Sequence, residues 1–223
     1  MGTAGQGAWT NGLPSGLTSE GNQYQAQYFA PSQVSTGANG LTLTMVRDNT
    51  YSSQGYTWKS GGIYSGSKLS VPAAGGYVQF RVKLPDMNTG AWPALWFLGP
   101  SSNAEFDLLD GGFTCASGPN YCVSTKLFTG AQKMNQSSAG VSLAGQWVTF
   151  GAEFKAGQYI KTYVNGVLTS TITDSVPNPI PYELILTLQM GNANTTGWHS
   201  VVSSSTPSPI TMLVDGVQIY KLP

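Results

Sequence analysis

Short runs in which apolar and polar residues alternate recur along the chain, each bounded by Gly, Pro, Asn or Ser. LTLTMV (41–46), GYVQFRVKL (76–84), WVTFGAEF (147–154), YIKTYV (159–164), VLTSTIT (167–173), LILTLQM (184–190) and ITMLVDGVQIY (210–220) follow period two and predict strands. No window places apolar residues convincingly at i, i+3, i+4 and i+7, so helices are not expected. The pair Asn165-Gly166 after YIKTYV predicts a two-residue hairpin turn. With no βαβ rhythm, many strands joined by turns predict an all-β chain of two packed antiparallel sheets.

One segment stands apart. WPALWFLGP (92–100) is the most apolar and aromatic stretch, and AEFDLLDGGF (104–113) follows it with Glu105, Asp107 and Asp110 set among Phe and Leu. The whole chain has only 10 Asp plus Glu and 10 Lys plus Arg in 223 residues, so three acids within six positions are concentrated far beyond the background. On a strand, Glu105 and Asp107 share one face, with Phe106 and Leu108 on the other. Strict alternation puts Asp110 with the apolar pair. A β-bulge adds one residue and returns Asp110 to the acidic face. The other reading is that Asp110-Gly111-Gly112 is a plain turn. Three acids on one face would suit hydrolysis of a glycosidic bond, which needs one ionised carboxylate and one protonated carboxyl about the sugar. An acid between them can hold a proton through like-charge coupling.

Composition narrows the partners. Formal net charge is zero, and charged residues are 9% of the chain, so there is no basic field for nucleic acid or anionic lipid. No apolar run approaches the length of a membrane span. The expectation is a monomer acting on a neutral partner, with no nucleic acid and no membrane. A length of 223 residues fits one domain, 1–223, with residues 1–19 a loose Gly-rich start. Gly, Ser, Thr, Asn and Gln in place of charge suggest a secreted protein. Met1-Gly2-Thr3 shows no signal-peptide pattern and reads as the start of a trimmed mature chain. Cys115 and Cys122 flank the turn-like Ala-Ser-Gly-Pro-Asn-Tyr. A disulfide across that hairpin end fits an oxidising compartment, and two buried free thiols are the alternative. The single His199 completes no zinc motif and is expected as a surface or packing residue.

WPALWFLG followed by EFDLLD resembles the signature of glycoside hydrolase family 16, the laminarinase-like β-glucanases, in which a Trp-Pro-Ala-x-Trp strand precedes Glu-x-Asp-x-x-Glu. GNQYQAQYF (21–29), GGYVQFRVKLP, WVTFGAEFKAGQYIKTYVNGVL, PYELILTLQMG and MLVDGVQIYKLP resemble other family segments in the same order, covering roughly 21–221. The resemblance implies a concanavalin A-like β-jelly-roll sandwich of two curved antiparallel sheets with a glycan groove on its concave face. The activity it implies is endo-acting, retaining hydrolysis of a β-linked polysaccharide, foremost a β-1,3- or β-1,3/1,4-glucan. Glu105 would be the nucleophile, Asp107 the assisting acid and Asp110 the general acid/base. Trp92 and Trp96 match the motif's tryptophans, and Tyr24, Tyr28, Trp58 and Trp198 are further candidates for stacking on sugar. No cofactor is expected for catalysis. Asp215 matches a position where relatives hold a structural calcium, which would need further oxygens from backbone and water.

Three positions depart from the family pattern. The acid/base position is Asp, not Glu; the next strand, YCVSTKLF, offers Thr125 or Lys126 where the family often has His; and Asn22-Gln23-Tyr24-Gln25 lacks the family's Glu. Asp is shorter than Glu by about 1.5 Å. Retaining enzymes hold their carboxyls about 5–5.5 Å apart and inverting ones about 6.5–9.5 Å, so the substitution bears directly on mechanism. The alternative to an enzyme is a glycan-binding jelly roll with no or very weak activity.

Overall fold

A computed structural model describes residues 8–14, 19–38, 40–99, 104–129, 132–180 and 182–222. In chain order the strands are β1 (Thr10–Asn11), β2 (Gln27–Phe29), β3 (Val34–Gly37), β4 (Gly40–Arg47), β5 (Trp58–Ser60), β6 (Gly62–Tyr64), β7 (Gly75–Lys83) and β8 (Ala91–Leu98). Then come β9 (Glu105–Asp110), β10 (Cys122–Phe128), β11 (Gln132–Ser138), β12 (Trp147–Lys155), β13 (Tyr159–Val164), β14 (Val167–Ile172), β15 (Glu183–Met190) and β16 (Ile210–Lys221). The only helical pieces among the described residues are short 3₁₀ turns such as Pro31–Gln33 and Met87–Thr89.

Two sheets form, as the alternating runs predict. One has seven strands in the order β1-β6-β15-β8-β9-β10-β11. The other has nine, ordered β14-β13-β12-β7-β16-β4-β5-β2, with β3 pairing β4. Pairing is antiparallel apart from β2, which lies parallel to β5 at the outer edge of its sheet. The hairpin turn falls at Asn165-Gly166: both residues have positive φ (49° and 80°), as a type I′ turn requires, and Val164 faces Val167 across it. Within the N-terminal stretch Thr10 and Asn11 form β1, paired with Tyr64 and Ile63. Residues 1–7 and 15–18 of that stretch lie outside the described residues.

The core lies between the sheets. Phe97 of β8 faces Phe106 of β9 across the ladder, and both rings pack on Phe154 of β12, at centroid distances of 5.2 and 5.3 Å. All three are fully buried. These rings anchor β8 and β9 from behind and leave the opposite faces of the two strands to form a groove.

Candidate functional site

The register of β9 answers the question posed by its three acids. Asp107 pairs with Trp96, but Leu109, not Leu108, pairs with Leu95, and Asp110 pairs with Ala94. Leu108 is therefore the extra residue of a β-bulge. Leu108 and Leu109 are both about fully buried in the same core cluster, so two consecutive side chains point inward and Asp110 emerges on the face of Glu105 and Asp107.

That face forms the floor of a groove of about 490 Å³. Cross-strand rows organise it: Trp96, Asp107, Lys126 and Met134 align across β8 to β11, and Leu98, Glu105, Phe128 and Gln132 form the next row. Tyr24, Trp92 and Trp198 make an aromatic wall, with Trp198 edge-on to Tyr24 at 5.4 Å and to Trp92 at 5.8 Å. Trp96 also lines the groove, its indole N–H donating to the Thr187 hydroxyl at 3.2 Å. Four of the six aromatic candidates thus meet at one place; Tyr28, on β2 of the opposite sheet, is instead buried edge-on to Tyr51 at 4.7 Å.

Trp58 does not join them either. Its side chain is fully buried in the core, and the Arg47 guanidinium covers its ring at 4.6 Å. It sits on β5 in the opposite sheet, and an aromatic residue's place in the sequence carries no information about which sheet it joins.

The acids differ in electrostatic setting. Burial, reinforced by Asp110, pushes Glu105 up to about 6 against the opposing pull of Lys126. Asp107 is held well above the ordinary carboxylate range by burial first, then by the charges of Asp110 and Glu105. Asp107 is therefore the natural holder of a proton on this strand. Asp110 is engaged on both oxygens: Trp92 Nε1–H donates to Oδ1, and the Lys126 ammonium pairs with Oδ2. The Lys126 ammonium also lies over the Phe113 ring at 4.2 Å. Of the two residues expected near the acids on β10, Lys126 faces the groove, while Thr125 is buried, its hydroxyl directed at the Leu108 carbonyl at 3.4 Å.

Two participants escaped the sequence reading. His199 is buried behind the aromatic wall, its ring 4.2 Å from Trp92, with Nδ1 against the Ser200 carbonyl and Nε2 against the Gly111 carbonyl, each at 2.6 Å. Burial lowers its pKa, against the opposing effect of the two carbonyls. It packs, as expected, but it packs on the groove's own framework. Glu20 is a fourth carboxyl lining the groove. Gln25 Nε2 donates to its Oε2 and Gln189 Nε2 to its Oε1, both at 2.7 Å. Those amides are fixed in turn: Gln25 Oε1 accepts from Gln27, and Gln189 Nε2 also donates to Thr187. Asp48, Asp174 and Asp215 each have a basic partner, whereas Glu20 has none among the described residues.

One further expectation meets a different outcome. Cys115 and Cys122 are free thiols rather than a disulfide. The Cys115 thiol turns toward the Gly118 carbonyl at 3.6 Å, and burial, with Cys115 beside it, pushes the Cys122 thiol up to about 12. Asp215 is ion-paired with Arg81 at 2.5 Å, and among the described residues no three His, Cys, Asp or Glu side chains gather as metal ligands.

No family model and no curated protein matches this chain. Solved structures do. A family 16 endo-glucanase from Bacteroides ovatus, in complex with G4G3G-2F-DNP, is similar at a TM-score of 0.79 and 21% identity, over 97% of this chain and 96% of that one. The laminarinase catalytic domain from Thermotoga maritima MSB8 is similar at 0.78 and 19%, over 100% and 95%. The endo-β-1,3-glucanase from Pyrococcus furiosus is similar at 0.74 and 22%, over 98% and 89%. The chain has the jelly-roll fold of the family 16 laminarinase-like glucanases.

Proposed function

We propose that this protein is a secreted glycoside hydrolase that cuts β-linked glucan internally, at β-1,3 or mixed β-1,3/1,4 linkages. The observation that carries the reading is the bulge in β9, which gathers Glu105, Asp107 and Asp110 on the floor of an aromatic-walled groove. The names of the structural neighbours, endo-glucanases and laminarinases, support the substrate class. Glu105, the most accessible of the three, is the nucleophile. Asp107, two residues along the same face, holds a proton beside it and eases both attack and departure. Stacking of sugar rings on Trp92, Trp198 and Tyr24 positions the chain.

A second reading is a glycan-binding protein that does not hydrolyse. The Lys126–Asp110 ion pair favours it, because an acid/base must exchange a proton with substrate, and this one is occupied. Incubation with β-1,3-, β-1,3/1,4- and β-1,4-glucans and a galactan separates the two. The hydrolase releases oligosaccharides from at least one glucan, with retained anomers in early NMR spectra. Calorimetric binding without any fragment after long incubation establishes the binder instead.

Tyr24 is the most exposed of the wall aromatics, at 38%. Its replacement by Ala is expected to raise KM, or the Kd of an oligosaccharide, by about tenfold, roughly 1.4 kcal/mol. Steady-state kinetics on a soluble glucan and titration calorimetry check this.

A further inference from the structure

The groove contains a carboxyl group that β9 does not supply, and its surroundings differ from those of Asp110 in one decisive respect. Asp110 receives an ammonium on one oxygen and an indole N–H on the other. Each of its oxygens thus accepts one bond, and one of the two donors carries a full positive charge. Glu20 receives only two neutral amide N–H groups, from Gln25 and Gln189, and no basic side chain pairs with it among the described residues. A neutral carboxyl accepts both of those bonds and still has an O–H to direct into the groove.

Residues 23–25, which follow Glu20, are tied to the segment after β15. Gln25 bridges to Gly191, the Asn192 N–H donates to the Tyr24 carbonyl at 3.0 Å, and the Asn194 side chain donates to the Gln23 carbonyl at 3.0 Å. The carboxyl is therefore a fixed part of the groove.

We propose that Glu20 is the proton donor to the leaving sugar, and that Lys126 and Asp110 form a fixed ion pair bracing β9 against β10. The inference rests on the hydrolase reading above. In the first step a Glu105 oxygen bonds to the anomeric carbon, and the glycosidic C–O bond breaks. Its electron pair goes to the departing oxygen, which takes the proton from Glu20. In the second, the Glu20 carboxylate removes a proton from water, whose oxygen bonds to the anomeric carbon, and the Glu105 ester bond breaks to return its carboxylate.

The charge setting agrees. Burial, with added repulsion from Glu105 and Asp110, pushes Glu20 up to about 7 against the Gln25 hydrogen bond. The charged groups of the surrounding elements are Glu105, Asp107 and Asp110 on β9, Lys126 on β10 and the buried His199. Glu105 must be ionised and so is competent above about 6, whereas Glu20 must be protonated and so is competent below about 7. The resulting kcat/KM profile is a narrow bell between those values.

Glu20→Gln tests the assignment on two substrates: a soluble β-1,3/1,4-glucan, whose leaving sugar needs a proton, and a 2,4-dinitrophenyl β-oligoglucoside, whose leaving phenolate does not. The variant is expected to lose about 10²–10⁴-fold in kcat/KM on the glucan and less than about tenfold on the aryl glycoside. It should also lose the alkaline limb of the pH profile and recover turnover with azide, giving a β-glycosyl azide. The retained aryl activity reports that the variant is folded. An equal loss on both substrates overturns the inference, as does retention of glucan activity. So does the same leaving-group split and azide rescue appearing in Asp110→Asn instead. If the unmodified protein turns over neither substrate, the hydrolase reading itself fails.

Discussion

Release of reducing ends from β-glucan is expected to fall by at least about 10⁴-fold when Glu105 is replaced by Gln, roughly 5 kcal/mol of transition-state stabilisation. An amide has the shape of the carboxylate but cannot form or release the glycosyl ester. The same replacement should leave the fold intact, because it removes a group whose charged form is opposed by burial and by Asp110. The sign of the stability effect follows. Folding raises Glu105 from 4.5 to about 6, so wild-type stability is lost as pH climbs through that interval. The Gln variant escapes this loss, and its relative stability should increase above about pH 6 and show no such gain below about 4.5. Reducing-sugar assays and melting curves at both pH values check the pair of outcomes. Activity within tenfold of wild type would remove Glu105 from the nucleophile role.

The second large effect concerns stability alone. Trp58→Ala is expected to destabilise the protein by about 3–5 kcal/mol, the usual result of emptying a large aromatic site in a core. Its ring is fully buried and closed over by Arg47, which is itself held by the Ser203 and Thr206 carbonyls at 2.9 Å each. Trp58→Phe should cost far less, because the Trp58 indole N–H has no hydrogen-bond partner among the described residues to lose. Denaturant titration gives both values. Neither variant should alter KM for glucan at a temperature where it is folded. A KM increase like that expected for Tyr24→Ala would return Trp58 to the groove.

What was legible in the sequence follows from where burial is one-sided. β4, β7, β12, β13, β14, β15 and β16 each fall within one or two residues of an alternating run. β11 was not visible, because QKMNQSS is polar except for Met134 and nearly all exposed; only its ladder with β10 makes it a strand. β1, β2, β5 and β6 have two or three residues each, too few to display a period. At the site, strand residues could be assigned to a face by counting, and the bulge could be anticipated from the acids themselves. Glu20 could not be found this way. It lies in a loop, and its partner Gln189 is 169 residues distant, a proximity that alternation does not encode. Trp58 shows the converse: residue type suggested sugar stacking, but only the pairing of β5 with β4 and β2 decides that its ring faces inward.

The inward pair Leu108 and Leu109 couples the two sides of one sheet. The orientation of a carboxylate over the groove is enforced by oil-like contacts on the reverse surface, several ångströms from any sugar. Random mutagenesis that alters the leucine pair, or the side chains they rest on, should therefore disturb the Lys126–Asp110 pair without changing a residue that lines the groove. A search for activity determinants confined to the groove lining would pass over them.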